Sequence, residues 1–571
     1  MNLNPWWVKY ARELILALML ATVYLGWHGS YGLFDVDEAV FTQATREMVV
    51  SGHYSMPTYN GIPRYQKPPM IYWVQAGFMK VLRADSLWAA RLPSALFGLG
   101  SIALLYLAVL RFTRNRTWAL WSAAALGLNL SFVVVSRAAT ADAVLNFFML
   151  ALVLWCLEVI YGKPKPYAWA VTGVLVACGL LAKGPVAGVP AALVVGAVWL
   201  ARADKHEIWQ RMAPLKVVAV AATCLMPWLG LLYHEGMLAG FFTQFVLDEN
   251  LKRFGPGLSN TQGGNPLFYA GVLAVGFMPW VFVVPTAVAE ARKNAWMKLQ
   301  SPKLAVALPY LALVWACGVV GLFMVSGTKL AHYIVPAYPA LAIMVGAWAS
   351  QRRPKPMPYV VGWVAVQVGV LVAVVLAVPV LLPELREPVL RGLSIWIQVF
   401  TNLQWPPHDV MLWETLRQTV PLTPAAFSFA AVGLVGMLAA YAMPFRYKGE
   451  ALAVSAAVFL IAVVAGVVPT VGGYTQGALA QLAQVVQAAP PDSRIIHLGV
   501  HKPSVLYLSQ RSFTKLEKPL QLPTTVNDGE HVLVLTEQTD VAGIGTEMSR
   551  LARVEVLQCA GGYCLVGIER Y

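Results

Sequence analysis

The sequence predicts a multi-pass α-helical membrane protein of about thirteen transmembrane helices, ending in a small soluble α/β domain. Three observations predict it. The 571-residue chain is 58% hydrophobic and only 12% charged, about half the charge of a soluble protein. Its apolar runs repeatedly approach the roughly 20 residues that cross a bilayer. From about residue 471 the pattern changes to short β-rich runs separated by turn residues.

The candidate spans are 13–29, 90–110, 117–135, 143–161, 168–182, 186–201, 214–233, 267–288, 304–326, 334–350, 358–382, 424–444 and 451–469. Lys9 and Arg12 precede the first. Alternate connections then carry cation clusters, such as Arg111, Arg114 and Arg116, or Arg202, Lys205, Arg211 and Lys216. The other short connections carry single cations: Arg137, Lys183 and Lys329. This asymmetry puts the N-terminus in the cytoplasm, and an odd span count puts the C-terminus outside. The formal net charge of +14 is then mostly membrane anchoring. Cations scattered over many short loops do not build a nucleic-acid surface. The first apolar segment lacks a small-residue cleavage site, so it reads as a retained span.

Two domains are expected: a membrane domain over 1–470, with long outer segments at 30–89, 234–266 and 383–423, and an outer α/β domain over 471–571. In the tail, "TQGALAQLAQVVQAA" reads as a helix. "SRIIHLGV", "SVLYLSQ", "HVLVLTE" and "VEVLQCAGGYCLVGI" read as β-rich runs. Cys559 and Cys564 flank a Gly-Gly that can turn a hairpin, and an oxidising compartment would allow a disulfide. The other four cysteines lie in apolar segments, where they pack.

The chemistry concentrates at the start of the first outer segment. "LFDVDEAVFTQATREM" places Asp35, Asp37 and Glu38 at a membrane edge, where carboxylates are expensive and usually functional. The apolar spacing that follows predicts an amphipathic helix along the interface. Asp35 or Asp37 could cap that helix, act as a general base on a hydroxyl, or bind a cation. Other outer-edge charges are Arg64, Lys67, Arg137, Asp142, Lys183, Lys252, Arg253, Lys329 and His332. Converging Lys and Arg make a phosphate receptor. A carboxylate base beside such a cluster points to a lipid-phosphate substrate. A transporter or lipid flippase is the rival class; the crowding of charge on one membrane face favours catalysis.

"FDVDEAVFTQATREMVVSGHYSMPTYNGIPRYQKPPMIYW" resembles the first outer loop of the C-type, protein mannosyltransferase-like glycosyltransferases, and bacterial aminoarabinose transferases in particular. "SRAATADAVL", "LAKGPVAGVPAAL" and "SGTKLAHYIVPAYPAL" resemble the family's later motifs. The resemblance implies a GT-C fold in the bacterial inner membrane with a periplasmic C-terminal domain. It implies sugar transfer from an undecaprenyl-phosphate donor to lipid A, another envelope glycan or a protein, by a monomer. It implies Asp37 as the catalytic carboxylate and Lys67 as a phosphate-binding lysine. It implies Asp142 as a second acidic residue lining the cavity and Lys183 and Lys329 as further cations near the donor phosphate, with Glu38, Tyr65, Arg137, Arg253 and Tyr333 as further substrate-binding candidates. Three departures stand out. Gln66 replaces a usual Glu, Asn250 replaces a usual His, and Ala39-Val40 stands where an Arg is common. Gln and Asn are poor zinc ligands. No metal site and no required cofactor are therefore expected, and the donor sugar need not be aminoarabinose.

Overall fold

A computed structural model of the chain describes residues 10–251, 268–293, 295–351 and 445–571. The expected spans 358–382 and 424–444, the outer segment 383–423, Lys252 and Arg253 lie outside the described residues.

Five helices among the described residues are long and apolar enough to cross a membrane: Leu87–Thr113, Asp142–Tyr161, Lys205–His234, Leu304–Val325 and Ala331–Ala349. A further candidate span is bent by 64° between Arg116–Gly127 and Leu130–Arg137. The sequence reading expected one straight span at 117–135. Asn129 explains the break. Its side-chain oxygen accepts from Phe132 N at 2.9 Å, and its amide donates to the carbonyls of Ala125 and Leu126 at 2.9 and 2.7 Å. Asn129 thus ends one helix and caps the next. The expected span 267–288 is likewise divided, into Phe268–Gly276, Trp280–Phe282 and Val284–Ala291. The thirteen expected spans are therefore not thirteen continuous helices.

The C-terminal region carries a five-stranded mixed sheet. Its strands are β3 (Arg494–Leu498), β4 (Phe513–Leu516), β5 (His531–Glu537), β6 (Ala552–Ala560) and β7 (Tyr563–Arg570), in the order β4-β3-β5-β7-β6. β1 (Thr58–Tyr59) and β2 (Ile62–Pro63) form a separate hairpin in the first outer segment. The period of two divides the sheet's apolar residues between two faces. Ile496, Val532, Val534 and Val566 meet Ile544 and Met548 of the helix Val541–Met548. Ile495, Leu533, Leu535 and Leu565 meet Leu479, Leu482 and Val486 of the helix Val468–Ala488. Gly561 and Gly562, at φ 58° and 82°, form the two-residue turn between β6 and β7. Cys559 and Cys564 are bridged across that hairpin.

"SVLYLSQ" is not a strand. Residues Pro503–Ser509 form a short helix, with Pro503 in its first turn, where a missing N–H costs nothing. Gln510, at φ 59°, ends it in the left-handed conformation. This helix packs on the helix Asp37–Ser51 of the first outer segment. That contact changes the character of Asp37–Ser51. The sequence pattern predicts a helix with one face toward water, yet Glu38 through Thr45 are all buried. The membrane helices cover part of it and the C-terminal domain covers more.

Candidate active site

Three carboxylates cluster at the start of the helix Asp37–Ser51, Asp35 just before it and Asp37 and Glu38 in its first turn, and their surroundings divide them completely. Asp35 does not cap its own helix. Its oxygens accept from the backbone N and hydroxyl of Ser504, at 2.8 and 2.7 Å. It therefore caps the helix Pro503–Ser509 of the C-terminal domain. Burial raises its pKa, against the lowering effect of the Ser504 hydrogen bonds and the nearby Lys502.

Glu38 is buried and fully engaged. Arg91 donates to it twice, at 2.7 and 2.6 Å, and Phe34 N and Ala139 N donate at 2.9 and 3.0 Å. Burial opposes its charge, but the Arg91 guanidinium and these hydrogen bonds prevail and hold the carboxyl below its ordinary range. Arg91 in turn donates to the carbonyls of His28, Tyr31 and Gly32, at 2.7, 2.9 and 2.7 Å. Glu38 was expected to bind substrate; in this structure its oxygens tie the first outer segment to the helix Leu87–Thr113.

Asp37 is left. It sits in the first turn of its helix, is exposed, and enters no ion pair among the described residues. The helix dipole favours a negative charge there. Val36, at the N-cap, supplies no side-chain bond, so neither Asp35 nor Asp37 is the expected cap of this helix. The Asp37 carboxylate is close enough for its charge to act on Lys183, His332 and Tyr72.

Lys183 and His332 line a cavity with Lys67, Asp142, Glu249 and Tyr333. Lys183 ends the helix Ala168–Lys183, and Gly184, at φ 86°, turns the chain away just beyond it. Lys183 Nζ donates to Asp142 Oδ1 at 2.5 Å, and His332 Nε2 lies 4.0 Å from the same oxygen. Thr140 Oγ1 donates to Asp142 Oδ2 at 3.3 Å. Lys67 Nζ donates to Glu249 Oε2 at 2.9 Å. Apolar walls come from Leu145, Val186, Phe245 and Phe323. The cavity thus pairs an apolar lining with two ammonium groups, only partly covered, each holding a carboxylate.

The remaining candidates scatter. Arg137 is buried and donates to the carbonyls of Val23 and Gly26, at 2.5 and 2.7 Å. It stabilises the C-terminal end of the helix Ala11–Leu25 and is not among the residues that line the cavity. Lys329 is buried beside the cavity and donates to Ser326 O at 3.0 Å. Tyr65 packs against Gly240 and the cluster around Trp228 and Phe241. Sequence reasoning missed Glu249, because its contact with Lys67 lies 182 residues away in the chain and carries no local signal. Asn250 does line the cavity, but its amide donates to Phe245 O at 2.7 Å. Arg91 was missed because a lone Arg inside an apolar run carries no motif.

A zinc ion does not fit the residues at this place. Gln66 donates its amide to Gln244 at 3.3 Å, Glu249 holds Lys67, and Asn250 is turned to a backbone carbonyl. Among the described residues no three His, Cys, Asp or Glu side chains come together as a ligand group.

Comparison with known proteins gives similarity to one group of transferases and one shared fold. The profile of the dolichyl-phosphate-mannose-protein mannosyltransferase family matches residues 66–230. An undecaprenyl phosphate-α-4-amino-4-deoxy-L-arabinose arabinosyl transferase of Shewanella sediminis is 30% identical over 355 residues, 59% of each chain. One of the same name from Pseudomonas fluorescens is 28% identical over 447 residues, 75% of each chain. An uncharacterised protein of Aquifex aeolicus is 28% identical over 61% of this chain and 65% of its own length. The chain thus spans under two thirds of the Aquifex and Shewanella proteins. In structure, ArnT of Cupriavidus metallidurans bound to undecaprenyl phosphate superposes with a TM-score of 0.75 at 18% identity, over 98% of both chains. The oligosaccharyltransferase AglB of Archaeoglobus fulgidus, in complex with an inhibitory peptide and a dolichol-phosphate, gives 0.52 at 10% identity, over 93% of this chain and 70% of that one. The chain has the GT-C fold and is similar to the aminoarabinose transferases.

Proposed function

We propose that this chain is a membrane glycosyltransferase that moves a sugar from a polyprenyl-phosphate donor to an envelope acceptor at the outer face of the bacterial inner membrane. One observation carries the reading. A cavity with apolar walls, two lysines and an electrostatically coupled exposed carboxylate sits in a fold shared with a protein crystallised with undecaprenyl phosphate.

The chemistry follows from the charges. The donor phosphate enters beside Lys67 and Lys183. Each ammonium has three N–H donors, so it can keep its carboxylate partner, Glu249 or Asp142, while bonding a phosphate oxygen. These carboxylates hold the lysines in place and offset their charge before substrate arrives. Val186, Phe245 and Phe323 suit the apolar start of a lipid chain. An acceptor hydroxyl attacks the anomeric carbon from the face opposite the phosphate. The new C–O bond forms as the bond to the phosphate oxygen breaks. The electron pair stays on the phosphate, the hydroxyl proton passes to Asp37, and the anomeric configuration inverts. No step needs a metal.

The test is release of free polyprenyl phosphate from a purified lipid-linked sugar, with the protein in vesicles and an envelope lipid extract as acceptor. Stoichiometric release with sugar transfer supports the reading. An intact donor moved across the bilayer identifies a transporter instead.

A further inference from the structure

The membrane cavity holds one buried polar atom that neither lysine pair uses. Residues 143–154 of the helix Asp142–Tyr161 are apolar apart from Asn146. A carboxamide inside such a run is costly unless it bonds something. Asn146 stands one helical turn beyond Asp142 and lines the same cavity. It is only 3% exposed.

Half of that carboxamide is satisfied. Asn146 Nδ2 donates to the backbone carbonyl of Asp142 at 2.8 Å. A carbonyl can only accept, so the amide nitrogen is the end that faces it. The orientation of the group follows, and Oδ1 is the end left over. Among the described residues Asn146 Oδ1 is buried and accepts no hydrogen bond. Buried polar atoms are normally satisfied, so an orphan acceptor on a cavity wall points to a ligand that donates.

The donor has to come from the sugar. A polyprenyl-phosphate sugar has three parts, and two of them bring no hydrogen for Oδ1. The polyprenyl chain is hydrocarbon, and at neutral pH the phosphodiester has acceptor oxygens only. The sugar brings hydroxyls or an ammonium, and the cavity separates these two. Both carboxylates of the lining are bonded to lysines, Asp142 to Lys183 at 2.5 Å and Glu249 to Lys67 at 2.9 Å. Thr140 also donates to Asp142. A buried ammonium needs a counter-charge, and a neutral amide oxygen has none to give. A hydroxyl needs only the acceptor.

We propose that Asn146 contacts the donor sugar: its Oδ1 accepts from a hydroxyl of an uncharged sugar carried on the polyprenyl phosphate. Asn146 thereby ranks lipid-linked sugars by that hydroxyl. This assignment rests on the transfer reading for the place of the phosphate at Lys67 and Lys183, but not for the chemistry of Asn146.

The experiment titrates the full-length protein in detergent with three probes: undecaprenyl phosphate, undecaprenyl-phosphate arabinose and undecaprenyl-phosphate 4-amino-4-deoxyarabinose. The last two differ by one hydroxyl against one amino group. Wild-type protein is expected to bind the arabinose probe above both others. Asn146→Leu, close in size but without the oxygen, is expected to weaken the arabinose probe about two- to tenfold and to leave undecaprenyl phosphate unchanged. Without ligand it should unfold at the wild-type temperature or higher, because a buried unmet acceptor is gone. A merely structural Asn146 would instead lower that temperature and spare the preference for the sugar-bearing probe. Asn146→Ser is the second variant. Its hydroxyl can keep the bond to the Asp142 carbonyl, but its oxygen is withdrawn from the cavity, so it should lose the same preference. Retention of the preference in both variants overturns the site. Tighter wild-type binding of the amino probe, or a loss confined to that probe, replaces the hydroxyl by an ammonium. If the variants lose the arabinose preference but no polyprenyl phosphate is ever released in the transfer assay, the sugar contact stands and the transfer reading fails. Release with an unaltered preference in both variants sinks the contact alone.

Discussion

Two charged clusters lie close together in this molecule, and they are built in opposite ways. The Glu38–Arg91 cluster is closed. Four donors converge on Glu38, Arg91 spends its remaining N–H groups on three carbonyls, and the pair's side chains are 6% and 0% exposed. The Lys67–Glu249 and Lys183–Asp142 pairs are open, with 14–18% of each side chain exposed to a cavity. A closed network has nothing left to offer a ligand and serves to fix the fold. An open one stays within reach of whatever enters the cavity. Asp37 and Glu38 are adjacent in sequence, and which network each joins decides what each can do.

The sharpest way to break the comparison is to mutate these neighbours in turn. Asp37→Asn should cut sugar transfer by about 10²–10⁴-fold, because the amide cannot accept the acceptor's proton. Its thermal unfolding should not move, since Asp37 holds no ion pair among the described residues. Retention of most of the turnover would remove Asp37 from the role of base.

Glu38→Gln should do the reverse, reaching activity only through the fold. It leaves Arg91 buried without its counter-charge, which costs about 3–5 kcal/mol. The pH dependence has a defined sign. The folded pKa of Glu38 is depressed, so its contribution is fully present above the unfolded value near ~4.3. It is lost as pH falls through the lower folded value. Acid unfolding of the wild type should include this loss, and Glu38→Gln should lack it. A Glu38→Gln protein as stable as the wild type, with weaker donor binding, would return Glu38 to the substrate site.

The contrast between these residues also marks what could be read from the chain. Apolar runs announced the membrane helices. Alternation announced β3, β5 and the β6–β7 hairpin. These are local signals. The partners of Glu38 and Asp35 were not legible, because Arg91 lies 53 residues away and Ser504 lies 469 residues away. "SVLYLSQ" read as a strand because its β-propensity is local, whereas its helical state goes with docking on Asp37–Ser51 and the Asp35 cap. Lys67, Asp142 and Lys183 were legible as cavity residues through motif resemblance. Arg137 carried the same kind of signal, yet it serves a helix end.

Lys67→Ala should give a smaller, different loss. It removes one charge-assisted contact to the donor phosphate, worth about 1.5–3 kcal/mol, and leaves Glu249 in the cavity facing the incoming anion. Donor affinity measured by titration with undecaprenyl phosphate should fall, with stability nearly unchanged. Equal affinity in the mutant would take Lys67 out of the phosphate site.

The smallest expected effect is that of chelation, and it tests the open cluster as a whole. The leaving group carries a single phosphate, whose charge lysine ammonium groups can offset. Lys67 and Lys183 face the cavity, and Lys329 lies buried against it on the Ser326 carbonyl. A divalent ion placed there would compete with the ammonium groups for the same phosphate oxygens. The side chains at hand also have the wrong donor chemistry: Gln66 and Asn250 offer amides, and Glu249 is held by Lys67. Sugar transfer from a purified lipid donor should therefore proceed at the same rate in excess EDTA, and later addition of zinc, magnesium or manganese should not raise it. Collapse in EDTA with recovery by one ion would mean that a metal carries the charge assigned here to the lysines, and that the cavity pairs are closed by that ion and not open to the phosphate alone.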